Sequence, residues 1–180
     1  SKEVKFILDK NNNPIDVYFK ESLSTNNLIE EFMLLANKTV AKHIGFPTKD
    51  AKTFVYRIHD KPDSDRISTL NNIVKKFGHS INNDTYDKLT QSINKLLKNV
   101  KGKAEQQIVG TLTIRSMAKA IYTTNNIGHF GLAFKHYSHF TSPIRRYPDL
   151  IVHRLLEQYT NGGKSVDKDS IEKICIHCSE

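Results

Sequence analysis

Two arginines, an aspartate and two prolines lie close together in the stretch His139–Arg154, which reads HFTSPIRRYPDLIVHR. The planar guanidinium group of arginine can donate two parallel hydrogen bonds to a phosphate or a carboxylate. Proline fixes its own backbone torsion and restricts the residue before it, so Pro143 and Pro148 limit the conformations of this stretch. The combination predicts a constrained backbone that holds Arg145 and Arg146 where they can bind an anion.

The same stretch also allows a purely structural interpretation. Asp149 lies four residues after Arg145, at a spacing that lets a carboxylate pair with an arginine within one helix. An arginine held in this way would stabilise the fold and would not bind a ligand. The nearby aromatic residues could likewise stack on nucleobases or fill a core, and they are Phe130, Tyr137, Phe140 and Tyr147.

Other residues with catalytic or metal-binding chemistry form weaker patterns. Asp63-x-Asp65 is a close acidic pair with loop chemistry suitable for a metal, and capping of a helix explains it at least as well as metal binding. His136 and His139 are three residues apart, which is not the spacing of a helical metal-binding pair, and no glutamate lies near them. Ser142 and His139 are a weak candidate pair of catalytic nucleophile and general base. A catalytic triad is recognised by its geometry, and the sequence does not show that geometry.

Cys175 and Cys178 are the only cysteines of the chain. A Cys-x-x-Cys pair can be half of a zinc site, but no second pair of ligands accompanies it. The segment from Ser170 to Glu180 is typical of a helix, in which the two cysteines would be small core-facing residues one turn apart. A low cysteine content fits a reducing compartment, so we expect the protein in the cytoplasm.

The bulk composition suits one domain with a polyanionic partner. The 180 residues are 38% hydrophobic, and no apolar run is long enough to cross a membrane or to act as a signal peptide. The formal net charge is +8, which favours binding to phosphates. We therefore expect a single domain over residues 1–180, no membrane association, and no obligate protein partner.

Periodicity and turn residues predict an α+β fold, with an N-terminal β-hairpin and short strands followed by a mainly helical remainder. Residues 1–20 contain two β-like runs around DKNNNP, and residues 24–180 are mainly helical. The helix that starts near Ser24 is apolar nearly all round, which predicts central burial. The other predicted elements are a β-rich segment at 53–60, helices at about 66–77, 84–100 and 104–122, and a helix that ends at about Gln158.

Several of these segments together resemble the ribonuclease II/R (RNB) exoribonuclease family. The residues that carry the resemblance are HFGL (129–132), YSHFTSPIRRY (137–147), Pro148-Asp149 and His153. Further segments resemble the ribonuclease R branch of that family in the same order. They are LIEEFMLLANKTVA (28–41), YRIHDKP (56–62), RSMAKAIY (115–122) and HCSE (177–180).

The resemblance implies a processive 3′→5′ exoribonuclease that releases nucleoside 5′-monophosphates and uses magnesium held by a cluster of aspartates. Its partner would be the single-stranded 3′ end of an RNA. Arg145 matches the family's arginine that contacts the scissile phosphate, and Glu31 falls near a position that contacts the 3′-terminal nucleotide. We also expect RNA contacts from Tyr137, Thr141, Ser142, Arg146 and Tyr147.

One part of the family's pattern is missing. The aspartate cluster, in a motif resembling DAKDFDDA, should precede the hairpin and is not in this sequence. We therefore expect the magnesium ligands outside this chain and no activity from the chain alone. Two alternatives stay open. The first is a basic helical module that binds RNA without cutting it. The second is a zinc-stabilised domain built on Cys175, His177 and Cys178.

Overall fold

The computed structural model describes residues 3–20, 23–45 and 51–180. Its four strands form two antiparallel pairs, β1 with β2 and β3 with β4. The strands are β1 (Glu3–Leu8), β2 (Pro14–Lys20), β3 (Tyr56–Ile58) and β4 (Ile121–Thr123). The α-helices are α1 (Ser24–Gly45), α2 (Ser64–Lys75), α3 (Tyr86–Val100), α4 (Gln106–Ser116), α5 (Tyr147–Thr160) and α6 (Lys168–His177). This arrangement confirms the predicted α+β class.

The N-terminal hairpin forms as predicted. Val4 pairs with Phe19 and Phe6 with Val17 across β1 and β2. The turn closes because the Asp9 carboxylate accepts hydrogen bonds from two backbone N–H groups of the Asn-rich loop, at 2.7 and 2.8 Å. Short polar side chains of this kind stabilise turns by bonding the backbone locally.

The prediction that α1 is centrally buried is wrong for its N-terminal half. Leu28, Phe32 and Leu35 are 56%, 60% and 56% exposed. The buried residues of this helix are Asn37, Ala41 and Ile44, all in its C-terminal half. Apolar residues tend to be buried, but no other described element packs over the first half of α1.

One hydrophobic core joins the C-terminal end of α1 to the β3–β4 pair and to helices α5 and α6. Phe54 and Val55, just before β3, are at most 1% exposed and pack with Val152 of α5 and Cys175 of α6. The remaining buried members are Ile44, Tyr56, Ile58, Tyr122, Ile151, Leu155, Tyr159 and Ile171. This core supports the loop that precedes α5.

A second core lies among α2, α3 and α4. Its buried members include Val74, Val100 and Val109, each at most 1% exposed. Asp63 caps α2, because its carboxylate accepts hydrogen bonds from the backbone N–H groups of Asp65 and Arg66. The capping interpretation of the Asp63-x-Asp65 pair is therefore confirmed.

The predicted helix over residues 104–122 is shorter than expected. Helix α4 passes through Gly110 and ends at Ser116, and Ile121–Thr123 form strand β4. Tyr122 pairs with Arg57 of β3, so a partner distant in sequence determines the structure of this segment. Local propensity is a weak guide where such a partner exists.

Cys175 lies on α6, as predicted, whereas α6 ends at His177 and Cys178 follows it. Cys175 is 1% exposed, and burial raises the pKa of its thiol to about 12. Within residues 3–20, 23–45 and 51–180, no three His, Cys, Asp or Glu side chains are grouped so that they could hold a metal ion. No helix in the described segments is long and apolar enough to span a bilayer.

Candidate functional site

The loop before α5 turns sharply and presents Arg145. The backbone N–H groups of Arg145 and Arg146 both donate to the carbonyl oxygen of Ser142, at 3.3 and 3.1 Å. Pro148 occupies the first turn of α5, where its missing N–H group costs no hydrogen bond. The turn and the proline together fix where the arginine side chains leave the backbone.

Asp149 stabilises this loop from inside the protein. Its side chain is fully buried, and its Oδ2 atom accepts hydrogen bonds from the Ser142 backbone N–H (2.8 Å) and from Nη2 of Arg146 (2.9 Å). The aspartate therefore pairs with Arg146 and not with Arg145. Arg146 is therefore the arginine that makes the structural ion pair with Asp149, and the sequence alone did not decide between the two.

Arg145 is exposed at the tip of the loop. Its Nη2 atom lies 3.4 Å from Oγ of Ser142, which is long for a hydrogen bond and involves an uncharged oxygen. The flanking apolar side chains are also exposed, Ile144 to 98% and Tyr147 to 51%. The guanidinium of Arg145 therefore remains accessible to an anionic ligand.

Several buried polar atoms around the loop have no hydrogen-bond partner among the described residues. They are Oγ1 of Thr141, Nε of Arg146 and Oδ1 of Asp149. Buried polar groups are normally paired, so such atoms mark a place where water or a ligand completes the structure. Thr141, a predicted RNA contact, carries one of these atoms. Ser142, also a predicted RNA contact, follows it in the sequence.

Asn37 of α1 ties the loop to the helix, and the sequence analysis missed it. Its Oδ1 atom accepts a hydrogen bond from the Phe140 backbone N–H (2.9 Å), and its Nδ2 atom donates to the hydroxyl of Tyr137 (3.1 Å). The available signal was one amide within the apolar segment FMLLANKTVA, because a buried polar side chain needs a specific partner. Asn37 is 3% exposed.

The other predicted RNA-contacting residues occupy different environments. Tyr137 is 4% exposed and packs edge-on against His129 and His139, which favours the core-packing alternative for its ring. Glu31 lies on the exposed N-terminal half of α1. The structure brings Thr141, Ser142, Arg146 and Tyr147 together with Arg145 in one loop and its following helix.

His139 is not paired with Ser142. Its Nδ1 atom lies 2.8 Å from the hydroxyl of Tyr122, whereas Oγ of Ser142 faces Arg145. Burial, and to a smaller extent the nearby Arg146, lower the pKa of His139 to about 4 against the opposing effect of Asp149. A neutral, enclosed imidazole of this kind supports the loop structurally.

We expect the stability of the protein to fall between pH 7 and pH 5. Burial also lowers the pKa of His129 to about 4, so His129 and His139 both bind fewer protons when folded than when unfolded. The free energy of unfolding is therefore highest above about pH 6.5 and decreases as the pH approaches 4. Urea midpoints measured at intervals of half a pH unit test this.

The control for this experiment is the double variant His129→Gln, His139→Gln, whose midpoint should depend less on pH in that range. The range stops at pH 5 because paired carboxylates, such as that of Glu172, begin to titrate below it. A wild-type midpoint that does not change between pH 7 and pH 5 would contradict the assignment.

Taken together, the loop places one exposed arginine, Arg145, beside the buried pair of Arg146 and Asp149. It offers an accessible guanidinium that can stabilise charge on phosphate oxygens. The described residues include no cluster of carboxylates or histidines placed to hold a metal ion. The loop can therefore bind a phosphate and stabilise its charge.

The chain is similar to known proteins over most of its length. The chain matches the RNB domain family over residues 1–162. It is 42% identical to a ribonuclease R of Thermotoga maritima across 99% of this chain and 26% of that protein. The chain thus spans about a quarter of the length of the curated relatives it matches.

Solved structures show the same fold. Ribonuclease R of Mycoplasma genitalium, in complex with ribose-methylated single-stranded RNA, superposes with a TM-score of 0.80 at 29% identity. That match covers 99% of this chain and 29% of the other. Yeast Ssd1, described as a pseudonuclease, matches 85% of this chain and 19% of its own with a TM-score of 0.71 at 25% identity. Since the family match extends over nearly the whole sequence, this chain belongs to the RNB domain family.

Proposed function

We propose that this chain is part of the catalytic domain of a magnesium-dependent, processive 3′→5′ exoribonuclease that hydrolyses RNA to nucleoside 5′-monophosphates. The observation that carries the proposal is the exposed Arg145 on a loop fixed by the buried Asp149, within a chain of the RNB family. The Mycoplasma genitalium relative is solved in complex with single-stranded and with double-stranded RNA, which supports RNA as the substrate. We further propose that the enzyme acts in the cytoplasm.

In this proposal the Arg145 guanidinium binds the non-bridging oxygens of the scissile phosphate. Water adds to phosphorus, the P–O3′ bond breaks, and the 3′-hydroxyl stays on the shortened RNA while the released nucleotide keeps the phosphate. Negative charge grows on the phosphate oxygens during this step, and a fixed cation stabilises it more than it stabilises the bound substrate. Arg146 and Asp149 hold the loop so that Arg145 needs little rearrangement.

The residues present do not fit a magnesium site. Hard divalent cations need several oxygen ligands, and the described parts of the chain place no three His, Cys, Asp or Glu side chains close enough together. We therefore propose that the magnesium ligands are supplied by residues outside this chain. Glu31, Thr141, Ser142 and Tyr147 remain predicted RNA contacts in that assembled site.

The proposal predicts that the 180-residue chain alone does not degrade RNA. The test incubates the purified chain with magnesium and a 5′-labelled single-stranded RNA, and separates the products by length. Unchanged RNA is the expected result. Magnesium-dependent release of mononucleotides that disappears in Arg145→Ala would show that the chain holds a complete site and would overturn the proposal.

A second candidate function is RNA binding without cleavage. The lack of a metal-binding cluster in the described residues, the net charge of +8 and the likeness to a yeast pseudonuclease favour it. This alternative predicts that a longer protein carrying the chain binds RNA with strong salt dependence and releases no nucleotides. An assay of that protein for mononucleotide release separates the two functions.

A further inference from the structure

Asn37 marks the point at which helix α1 enters the protein interior. Leu35, just before it, is 56% exposed, whereas Ala41 and Ile44, which follow it, are buried. Asn37 itself is 3% exposed. A polar side chain at this depth is tolerated only if its hydrogen-bonding groups have partners, so those partners show what the residue holds together.

Both ends of the Asn37 amide bind the segment that leads into the Arg145 loop. The Oδ1 atom accepts a hydrogen bond from the Phe140 backbone N–H at 2.9 Å, and the Nδ2 atom donates one to the hydroxyl of Tyr137 at 3.1 Å. A backbone N–H group can only donate, so the amide oxygen must face Phe140, and this determines the orientation of the amide. An alanine at position 37 would leave the Phe140 N–H group without this acceptor.

Helix α5 holds Phe140 from the other side. The carbonyl oxygen of Phe140 lies 2.9 Å from Nε2 of His153, and the two rings stack with their centroids 4.0 Å apart. Since a carbonyl oxygen can only accept, the Nε2 atom of His153 carries the proton of this hydrogen bond. Phe140 therefore connects α1 to α5, with one backbone hydrogen bond to a side chain of each helix.

The connection continues from Phe140 into the turn. Ser142 lies two residues later, and its carbonyl oxygen accepts hydrogen bonds from the backbone N–H groups of Arg145 and Arg146. Peptide units are planar and stiff, so a displacement of Phe140 reaches Ser142 with few torsions to absorb it. The position of the Arg145 backbone thus depends on the position of Phe140, which Asn37 helps to set.

We propose that Asn37 is a positioning residue, which holds the backbone of the loop that carries Arg145 in place relative to α1. The inference rests on the proposed function only for the reaction that the loop serves. Asn37 needs no contact with RNA, because it acts through Phe140 and the turn. Displacement of a catalytic group by about 1 Å can slow a reaction about 100-fold, so a contact of this kind can affect the rate strongly.

The first experiment is a double-mutant cycle on single-turnover cleavage by a longer protein that carries this chain, with saturating RNA and magnesium. Asn37→Ala should slow cleavage about 10- to 100-fold when Arg145 is present. In an Arg145→Ala background the same change should slow cleavage less than about threefold, because no guanidinium is left to misplace. Equal slowing in both backgrounds would show that Asn37 does not act through Arg145 and would overturn the proposal.

Two further variants separate positioning from a general loss of stability. Tyr137→Phe keeps the hydrogen bond between Asn37 and Phe140, so it should slow cleavage less than Asn37→Ala does. The matched control is Thr113→Ala, because Thr113 is also 3% exposed and its hydroxyl donates a hydrogen bond to Val109 in the second core. This control should leave the rate nearly unchanged, and a rate as low as that of Asn37→Ala would overturn the proposal.

Amide hydrogen exchange of the 180-residue chain tests the same proposal without any cleavage. Asn37→Ala should speed exchange at both Phe140 and Ser142 about tenfold relative to Leu155 of α5, as expected for the loss of one hydrogen bond. Faster exchange at Phe140 alone would limit Asn37 to a local contact, and unchanged exchange at both amides would show that it holds nothing. Either result would overturn the proposal.

The two experiments also separate this proposal from the proposed function. A longer protein that cleaves no RNA in its wild-type form would disprove the proposed function. Hydrogen exchange at Phe140 and Ser142 would then decide by itself whether Asn37 positions the loop.

Discussion

Replacing Arg145 with alanine in the longer protein that we propose carries this chain should reduce RNA cleavage about 100- to 1,000-fold. Removal of one fixed donor that stabilises transition-state charge typically costs about 3 to 4 kcal/mol of activation free energy. The loss should appear in the single-turnover rate of cleavage. Affinity for a long RNA should change little, because the strand contacts many other phosphates.

Two further variants test whether the guanidinium itself is responsible. Arg145→Lys keeps the charge but loses the two-pronged donor, so its rate should fall between those of the wild type and the alanine variant. Arg154→Ala removes another exposed arginine two turns along α5 and should leave the rate nearly unchanged. An Arg145→Ala protein that cleaves within about threefold of wild type would exclude the role assigned to Arg145.

Replacing Asp149 with alanine should lower the free energy of unfolding of this chain by about 3 kcal/mol. The side chain is fully buried and accepts hydrogen bonds from both the Ser142 backbone and Arg146. Its removal leaves a partly enclosed guanidinium and a backbone N–H group without their partner, which typically costs about 3 to 5 kcal/mol. We expect a loss of stability at the lower end of this range, because the Arg146 side chain is still 21% exposed.

Urea denaturation followed by circular dichroism measures this change. Asp149→Asn keeps the acceptor for the Ser142 N–H group and should lose less stability than the alanine variant. The matched control is Asp84→Ala, which breaks the exposed ion pair with Lys88 and should cost no more than about 0.5 kcal/mol. Equal and small losses in Asp149→Ala and Asp84→Ala would show that the buried pair does not stabilise the loop.

Local signals in the sequence were sufficient where one short segment determines its own structure. The Asn-rich turn of the hairpin and the Asp63 cap of α2 both bond the backbone within a few residues. The two prolines around Arg145 likewise indicate a constrained loop before the loop is seen. In these cases the physical cause lies within the segment.

Predictions failed where a distant partner decides the outcome. Tyr122 leaves the predicted helix because Arg57 pairs with it across β3 and β4. The first half of α1 is apolar yet exposed, since hydrophobicity does not reveal which element, if any, covers a helix face. The choice of Asp149 between two arginines also depended on the turn geometry, which places Arg146 and not Arg145 beside the carboxylate.

The candidate site was foreseen in part. Sequence patterns placed Arg145 at its centre, and its exposure on a fixed loop is compatible with that role. They did not identify Asn37, whose two hydrogen bonds connect α1 to the loop over a hundred residues of sequence. No local pattern records such a contact, because it exists only once both elements have packed.

The most direct test of the central claim asks whether removing Arg145 and neutralising the scissile phosphate have independent effects on the cleavage rate. Single-turnover cleavage is measured for wild-type and Arg145→Ala forms of the longer protein, on RNA with either a normal 3′-terminal linkage or one neutral methylphosphonate there. If the guanidinium binds that phosphate, the substrate change should slow the Arg145→Ala protein far less than the wild type, with a coupling of about 2 kcal/mol or more. Equal slowing of both proteins would contradict the account.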